Sequence, residues 1–287
     1  MRRIKRGWAL TKKSWELLNG NRELIRFPLY GGIATVLLGI VLLGPGAFFL
    51  DQHSYGAAIP FIVIGIYVLA VVGTYFSVGL AAAADRIFRG EQATVADGLA
   101  VARTHFAAIC GWAALSTAVG LIVGLLEQQG GALGEIAGRL VGAAWSLVTF
   151  LAVPVIAIEG TGPIETLKRS ASLFKARWGQ QITGNLAIGG VVFLLGFLPA
   201  VALIVLGAVI WPSVGFAGAL LVVIGALLIC VALLVSKALG GIFGVALYRY
   251  ALDGEVVGGF TQSDLESAVR VKGARGSTTP GATPGTV

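Results

Sequence analysis

The chain has 287 residues, of which 56% are hydrophobic and only 12% charged, with a net charge of +7 and a mean hydropathy of +0.88. Soluble globular proteins sit near 45–50% apolar and about 25% charged, so this composition excludes a water-solvated globule and requires lipid as the main solvent. The positive balance does not indicate nucleic acid, because the basic residues lie in connections between apolar runs, where headgroups and topology account for them.

Residues 1–26 are basic and carry Arg2, Arg3, Lys5, Arg6, Lys12, Lys13, Arg22 and Arg26. On a helix, Ile4, Trp8, Trp15 and Leu18 fall within about 80° of one another, with Arg2, Lys5, Arg6, Lys12 and Lys13 opposite. The pattern predicts an amphipathic helix in the headgroup plane, its tryptophans in lipid and its cations on anionic headgroups. This segment is longer than the n-region of a cleavable signal peptide, so the first span is expected to remain as a signal anchor.

Six apolar runs follow: Phe27–Leu50, Ala57–Ala84, Phe106–Leu126, Leu133–Ile158, Ile182–Trp211 and Phe216–Tyr250. Each reaches the roughly 20 residues that span a hydrocarbon core. The last, as one helix, is roughly 50 Å long and must tilt, kink near Gly240-Gly241 or project beyond the bilayer.

Lys and Arg mark alternate connections. Arg86, Arg89 and Arg103 follow the second run, Lys168, Arg169, Lys175 and Arg177 the fourth, and Arg249, Arg270, Lys272 and Arg275 the sixth. Asp51–Gly56 and Pro212–Gly215 contain none. By the positive-inside rule both termini are cytoplasmic.

The cytoplasmic connections are long enough for helices of their own. Val95, Leu99, Ala102 and Phe106 form one stripe, opened by Thr94-x-x-Asp97 as a capping box. Ile164, Leu167, Ala171, Phe174 and Trp178 form another, opened by Pro163. Both are expected to repeat the headgroup-plane design of the N-terminus. Ser263-x-x-Glu266 caps a shorter candidate within 253–272, and the tail 273–287 is small, polar and expected to be disordered. The recurrence of cytoplasmic helix plus hairpin admits three repeated hairpins, with Arg86-Ile-Phe-Arg-Gly-Glu resembling Tyr250-Ala-Leu-Asp-Gly-Glu. The expected fold is therefore all-α: a polytopic bundle of six transmembrane helices over 27–252, with amphipathic interfacial helices.

Gly130, Gly134, Gly138 and Gly142 recur at four-residue spacing, and Gly120/Gly124 and Gly240/Gly244 add shorter pairs. In lipid such ridges let backbones approach closely. The ridge serves packing within one bundle, a homo-oligomer contact or a pore lining. Ionisable groups at membrane depth are functional candidates. Lys237 either sits near the midplane with a partner or snorkels to the cytoplasmic headgroups. Glu135 and Arg139 are spaced to pair on one helix face near the outer interface with Glu127. Asp85 and Glu159 end their spans among basic residues that they can pair with, and Asn185 can hydrogen-bond across helices.

Cys110 and Cys230 lie in apolar runs and read as buried small hydrophobes rather than a disulfide or metal pair, while His53 and His105 are isolated. No zinc site and no cofactor is expected. The sequence lacks HExxH, GxSxG and Walker A patterns, so an enzyme is not expected.

Arg6-Gly-Trp8…Ser14-Trp15, Phe27-Pro28-Leu29, Trp145-Ser146 before Val153-Pro154-Val155, Gly162-Pro163-Ile164-Glu165…Leu167-Lys168-Arg169-Ser170 and Ala246-Leu247-Tyr248-Arg249-Tyr250 resemble a prokaryotic six-transmembrane-helix family of unknown function. That family is distantly similar to the membrane domain beside some glycerophosphodiester phosphodiesterases. The resemblance covers roughly residues 1–252, implies a prokaryotic plasma membrane and implies nothing catalytic, since the soluble phosphodiesterase domain is missing. The expectation is a non-enzymatic module that assembles with itself, with another membrane protein or with anionic lipid. A channel or transporter for a small or hydrophobic solute is the alternative.

Overall fold

The computed structural model describes residues 15–16, 18–129, 131–178, 199–206, 216–262 and 265, and among them all regular structure is helical. Among the described residues, besides helical 199–206, the helices are α1 (Glu23–Asp51), α2 (Tyr55–Phe88), α3 (Val95–Thr104), α4 (Phe106–Gln129), α5 (Gly131–Val148), α6 (Ala152–Glu159), α7 (Pro163–Trp178) and α8 (Phe216–Asp253). Five stretches are long and apolar enough to cross a membrane: Glu23–Asp51, Tyr55–Phe88, Phe106–Gln128, Gly134–Glu159 and Leu220–Asp253. These correspond to five of the six expected spans. The remaining one, Ile182–Trp211, lies outside the described residues except for 199–206, which is helical. Most of the N-terminal segment, Asn185 and the tail also lie outside them.

Helix α2 is the hub, packing against α1, α3, α4, α6 and α8. The core gathers at one end of the bundle, where α2 and α8 terminate and α3 and α7 lie across the spans. Here Phe27, Val78, Ala81, Ile109, Ile156, Leu239, Ile242 and Val245 are all buried. The run of small residues Ala81–Ala84 leaves room for this convergence. We call this the basic end, after its arginines and lysines.

The opposite half is built differently. Over its first twelve residues α2 is held by α1, where Gly65 meets Leu43 and Gly46 meets Ile62, while Ile59, Phe61 and Ile64 remain exposed. There α4 is held by α5, and Leu121, Ile122 and Leu125 are exposed. On α8, Gly225 packs on Ala200 and Ile204, while Val223, Leu227 and Val231 are exposed. Away from the basic end each of these pairs leaves aliphatic side chains exposed. Aliphatic surface left uncovered in this way is stable only against hydrocarbon.

Several local expectations are met. Thr94 accepts from the Asp97 N–H while Asp97 accepts from the Thr94 N–H, completing the capping box of α3. Pro163 opens α7 and α8 runs unbroken through Gly240-Gly241. Both long spans ending at the basic end close on a left-handed glycine, Gly90 at φ +80° and Gly254 at φ +76°. In both, the next glutamate returns to an arginine of the same helix: Glu91 to Arg86 and Glu255 to Arg249.

Three readings need correction. The fourth run is not one helix: it breaks at 149–151 between α5 and α6. Pro154 lacks an N–H and would press on the Phe150 carbonyl in a continuous helix, so the break relieves both. Second, α3 and α7 do not turn their apolar stripes wholly into lipid. Gly98 and Ala102 are buried against α1 and α2, and Thr166, Ser170, Leu173 and Phe174 against the bundle, whereas Phe106 and Ile164 are exposed. Protein packing outcompetes lipid because these helices cap otherwise open span ends. Third, Cys110 is half-buried and Cys230 exposed, both free thiols.

Candidate functional site

The polar groups of the basic end form two knots beside the core. The first centres on Asp85, 5% exposed at the end of α2. A carboxylate so placed costs several kcal/mol unless it is paired and hydrogen-bonded. Asp85 accepts from Arg249 Nε of α8 at 2.8 Å and pairs with Arg89 at 2.9 Å. Arg249 also donates to Glu255 at 2.9 Å, tying the chain beyond α8 to the same knot. Arg86 pairs with Glu91 at 2.9 Å and Asp97 at 3.2 Å, which links α2 to the start of α3. The Thr94 N–H and hydroxyl, followed by Arg86, hold the Asp97 carboxyl below its ordinary range.

The second knot centres on Glu159, the last residue of α6. It accepts from Tyr248 Oη at 2.6 Å and from Arg169 Nε of α7 at 2.9 Å, and that hydrogen bond raises the Arg169 pKa. Fully buried Ser170 lies one residue on. Its hydroxyl donates to the Val148 carbonyl at 2.6 Å and accepts from the Leu151 N–H at 3.1 Å. One side chain of α7 thereby satisfies both ends of the break between α5 and α6. Arg177 donates to the Ala251 carbonyl at 3.3 Å and stands 5.3 Å over the Tyr250 ring. Beyond α8, Val257 and Phe260 are buried, with Phe260 edge-on to Phe243 at 5.5 Å.

Most acids of this end are thus paired with neighbouring arginines. Among the described residues Asp85, Glu91, Asp97, Glu159 and Glu255 all hold ion pairs. Arg22, Arg103, Lys168 and Lys175 are exposed and meet no carboxylate there, and exposed Glu165 and Asp253 lie among them. The end presents surplus positive charge outward.

The glycine ridge is occupied within the chain. An added Cβ at Gly134 would strike the Leu126 carbonyl, one at Gly138 would strike Glu127, and one at Gly142 would lie 3.8 Å from Val123. The ridge therefore closes the hairpin of α4 on α5 and offers no free face. Gly130 lies outside the described residues. Gly244 faces Pro154 at 3.7 Å, whereas Gly120, Gly124 and Gly240 meet nothing within 4 Å. Glu135 and Arg139 pair on the exposed side of α5, beside Glu127. Lys237 is exposed on α8. Trp15 is exposed at 47%, while Arg2, Arg3, Lys5, Arg6, Trp8, Lys12 and Lys13 lie outside the described residues.

The pairing of Tyr248 and Arg249 with α6 and α2 is absent from the sequence reading. Their only signal was position, since each ends a span beside acids that end neighbouring spans. No group of three or more His, Cys, Asp or Glu able to hold a metal occurs among the described residues. A family model described as a family of unknown function, DUF6159, matches residues 58–259, a range that contains both knots and Lys237. A comparison with curated proteins finds no match.

Proposed function

We propose a role from the premise that this chain belongs to DUF6159, a family of unknown function: it is a non-enzymatic, multi-pass module of a prokaryotic plasma membrane that binds anionic lipid at its basic end. Both termini are cytoplasmic in this reading, supported by the charge asymmetry of the connections. The observation that carries it is the division of charge just described. Five acids are held in arginine pairs, and exposed Arg22, Arg103, Lys168 and Lys175 outnumber exposed Glu165 and Asp253 and remain for headgroups, each contributing about 1 kcal/mol near an anionic surface. Assembly with itself or with another membrane protein is part of the proposal. Its best-supported contact is the open Gly120/Gly124 face of α4, because the Gly134–Gly142 ridge is filled.

The test is native mass spectrometry of the full chain released from nanodiscs of phosphatidylglycerol or phosphatidylcholine. Retained phosphatidylglycerol is expected, and Lys168→Glu with Lys175→Glu should reduce it. A chain that keeps no anionic lipid in preference to the neutral one defeats the proposal.

A further inference from the structure

Three times the chain ends a span at the basic end in the same way. Helices α2, α6 and α8 each run into a left-handed glycine within two residues: Gly90 at φ +80°, Gly160 at φ +66° and Gly254 at φ +76°. A crossing segment follows each one: α3, α7 and the chain from Glu255 to Leu265, which turns helical at Gln262. Counted from the first helical residue, all three bury the fourth, which is Gly98, Thr166 or Leu265. In all three the N–H of that residue donates to the carbonyl just before the helix, Thr94 at 3.2 Å, Gly162 at 2.8 Å and Thr261 at 3.1 Å. Helices α3 and α7 stay in step beyond this: the eighth residue, Ala102 or Ser170, is buried, and the second, sixth and tenth are exposed. Burying a stripe requires only the helical period. It does not fix the count from the helix start, so the shared count belongs to a shared unit.

The contacts between spans repeat as well. Helices α2, α6 and α8 pack on one another. Helix α1 packs on its own partner α2 and on α8, while α4 packs on its own partner α5 and on α2. In each case the first span of a unit leans on the returning span of the unit before it, taking the third unit as preceding the first. Such head-to-tail contacts close into a ring when the rotation allows it. The third unit's first span is described at 199–206, where Ala200 and Ile204 meet Gly225 of α8. Equivalent residues also meet at the centre. Asp85 and Arg249 each stand five positions before the left-handed glycine of their unit, and their side chains are 2.8 Å apart. Val155, at the same position of the second unit, is fully buried. Residues at one position of a repeated unit can touch only near the axis that relates the copies.

We infer that the chain is three copies of one unit, set head to tail about a quasi-threefold axis among α2, α6 and α8. Each unit is a span leaving the basic end, a span returning to it and a crossing helix. One such unit cannot bury its apolar face alone, and neighbouring copies complete the core. The chain after α8 thereby gains a role: Val257, Phe260 and Leu265 are buried because they open the third crossing helix, on the seat that α3 and α7 fill in the other units. The count also extends past Leu265, putting Ser267 sixth and Val269 eighth. This architecture is independent of headgroup binding at the basic end, so either reading can fail alone.

Single cysteines in the full chain, with Cys110 and Cys230 replaced by alanine, test the count through their rate of labelling by a polar maleimide in mild detergent. The sixth-position variants Ala100→Cys, Lys168→Cys and Ser267→Cys are expected to react at least about tenfold faster than the eighth-position variants Ala102→Cys, Ser170→Cys and Val269→Cys, which wait on local opening. Matching thermal transitions establish that the variants fold. Leu265→Cys against Ser263→Cys repeats the comparison one turn earlier, and decides where an eighth-position variant does not fold. Equal rates at Ser267→Cys and Val269→Cys, or the reverse order, overturn the inference, because the third unit then lacks a crossing helix in the common register. Leu265→Cys reacting as fast as Ser263→Cys overturns it too.

Discussion

Arg249 Nε lies 2.8 Å from a carboxylate oxygen of Asp85, a residue 164 positions earlier in the chain. The pair joins the ends of α2 and α8 and holds the edge of the core. Truncating one partner leaves the other with a single remaining pair, Arg89 for Asp85 or Glu255 for Arg249, at a cost of about 1–3 kcal/mol for the lost charged hydrogen bond. Arg249→Ala and Asp85→Ala should each lower the thermal unfolding temperature in detergent strongly. The double variant should lose less than the sum of the two, and full additivity would show that the two residues do not act on each other.

Gly98 shows how closely α3 approaches the spans. A Cβ there would meet the Gly79 carbonyl oxygen and come within 2.5 Å of Phe27 Cζ, and Phe27 is fully buried. Gly98→Ala should destabilise by about 1–3 kcal/mol through overpacking. Gly120→Ala, in open space, should be neutral or stabilising, as Ala usually is in a helix interior. Thermal melts of the two variants side by side give the comparison.

The two glycine faces of the α4–α5 hairpin should separate folding from assembly. Gly138→Ile drives a branched side chain into Glu127 and should destabilise the chain without a specific change in stoichiometry. Gly124→Ile fills a face that no described residue approaches within 4 Å, so it should leave the melting temperature in place and reduce self-association. Light scattering of the detergent-solubilised protein reads the second effect. Equal association by wild type and Gly124→Ile would remove that face from the proposal.

Ser170→Ala removes the only side chain shown bonding both sides of the break between α5 and α6. A buried carbonyl and N–H would lose their partner together, at a cost of about 1–3 kcal/mol. Ser170→Thr keeps the hydroxyl and should recover part of the loss unless its methyl group is refused by the packing.

The capping box of α3 predicts a pH dependence. The folded Asp97 carboxyl titrates below its ordinary range, so its stabilisation is fully present above the unfolded value of about 3.9. It is lost as pH falls through the lower folded value. Asp97→Asn should flatten this part of the acid unfolding profile, and an unchanged profile would mean that the box contributes nothing at this end.

Hydropathy, the positions of Arg and Lys, the Thr94–Asp97 box and Pro163 are local features, readable within a few residues or one helical turn. They defined the spans, the basic connections and the start of each crossing helix. Solvent preference and backbone chemistry act on each segment separately, so the sequence by itself determined an all-helical, lipid-solvated chain with its charge gathered at alternate connections. Which side chains meet across the fold was decided by tertiary packing alone. Asp85 with Arg249, Glu159 with Tyr248, and Ser170 with the break at 149–151 each join residues distant in sequence. The glycines of α5 show the same division, since their spacing marks a smooth ridge but cannot name the helix that fills it.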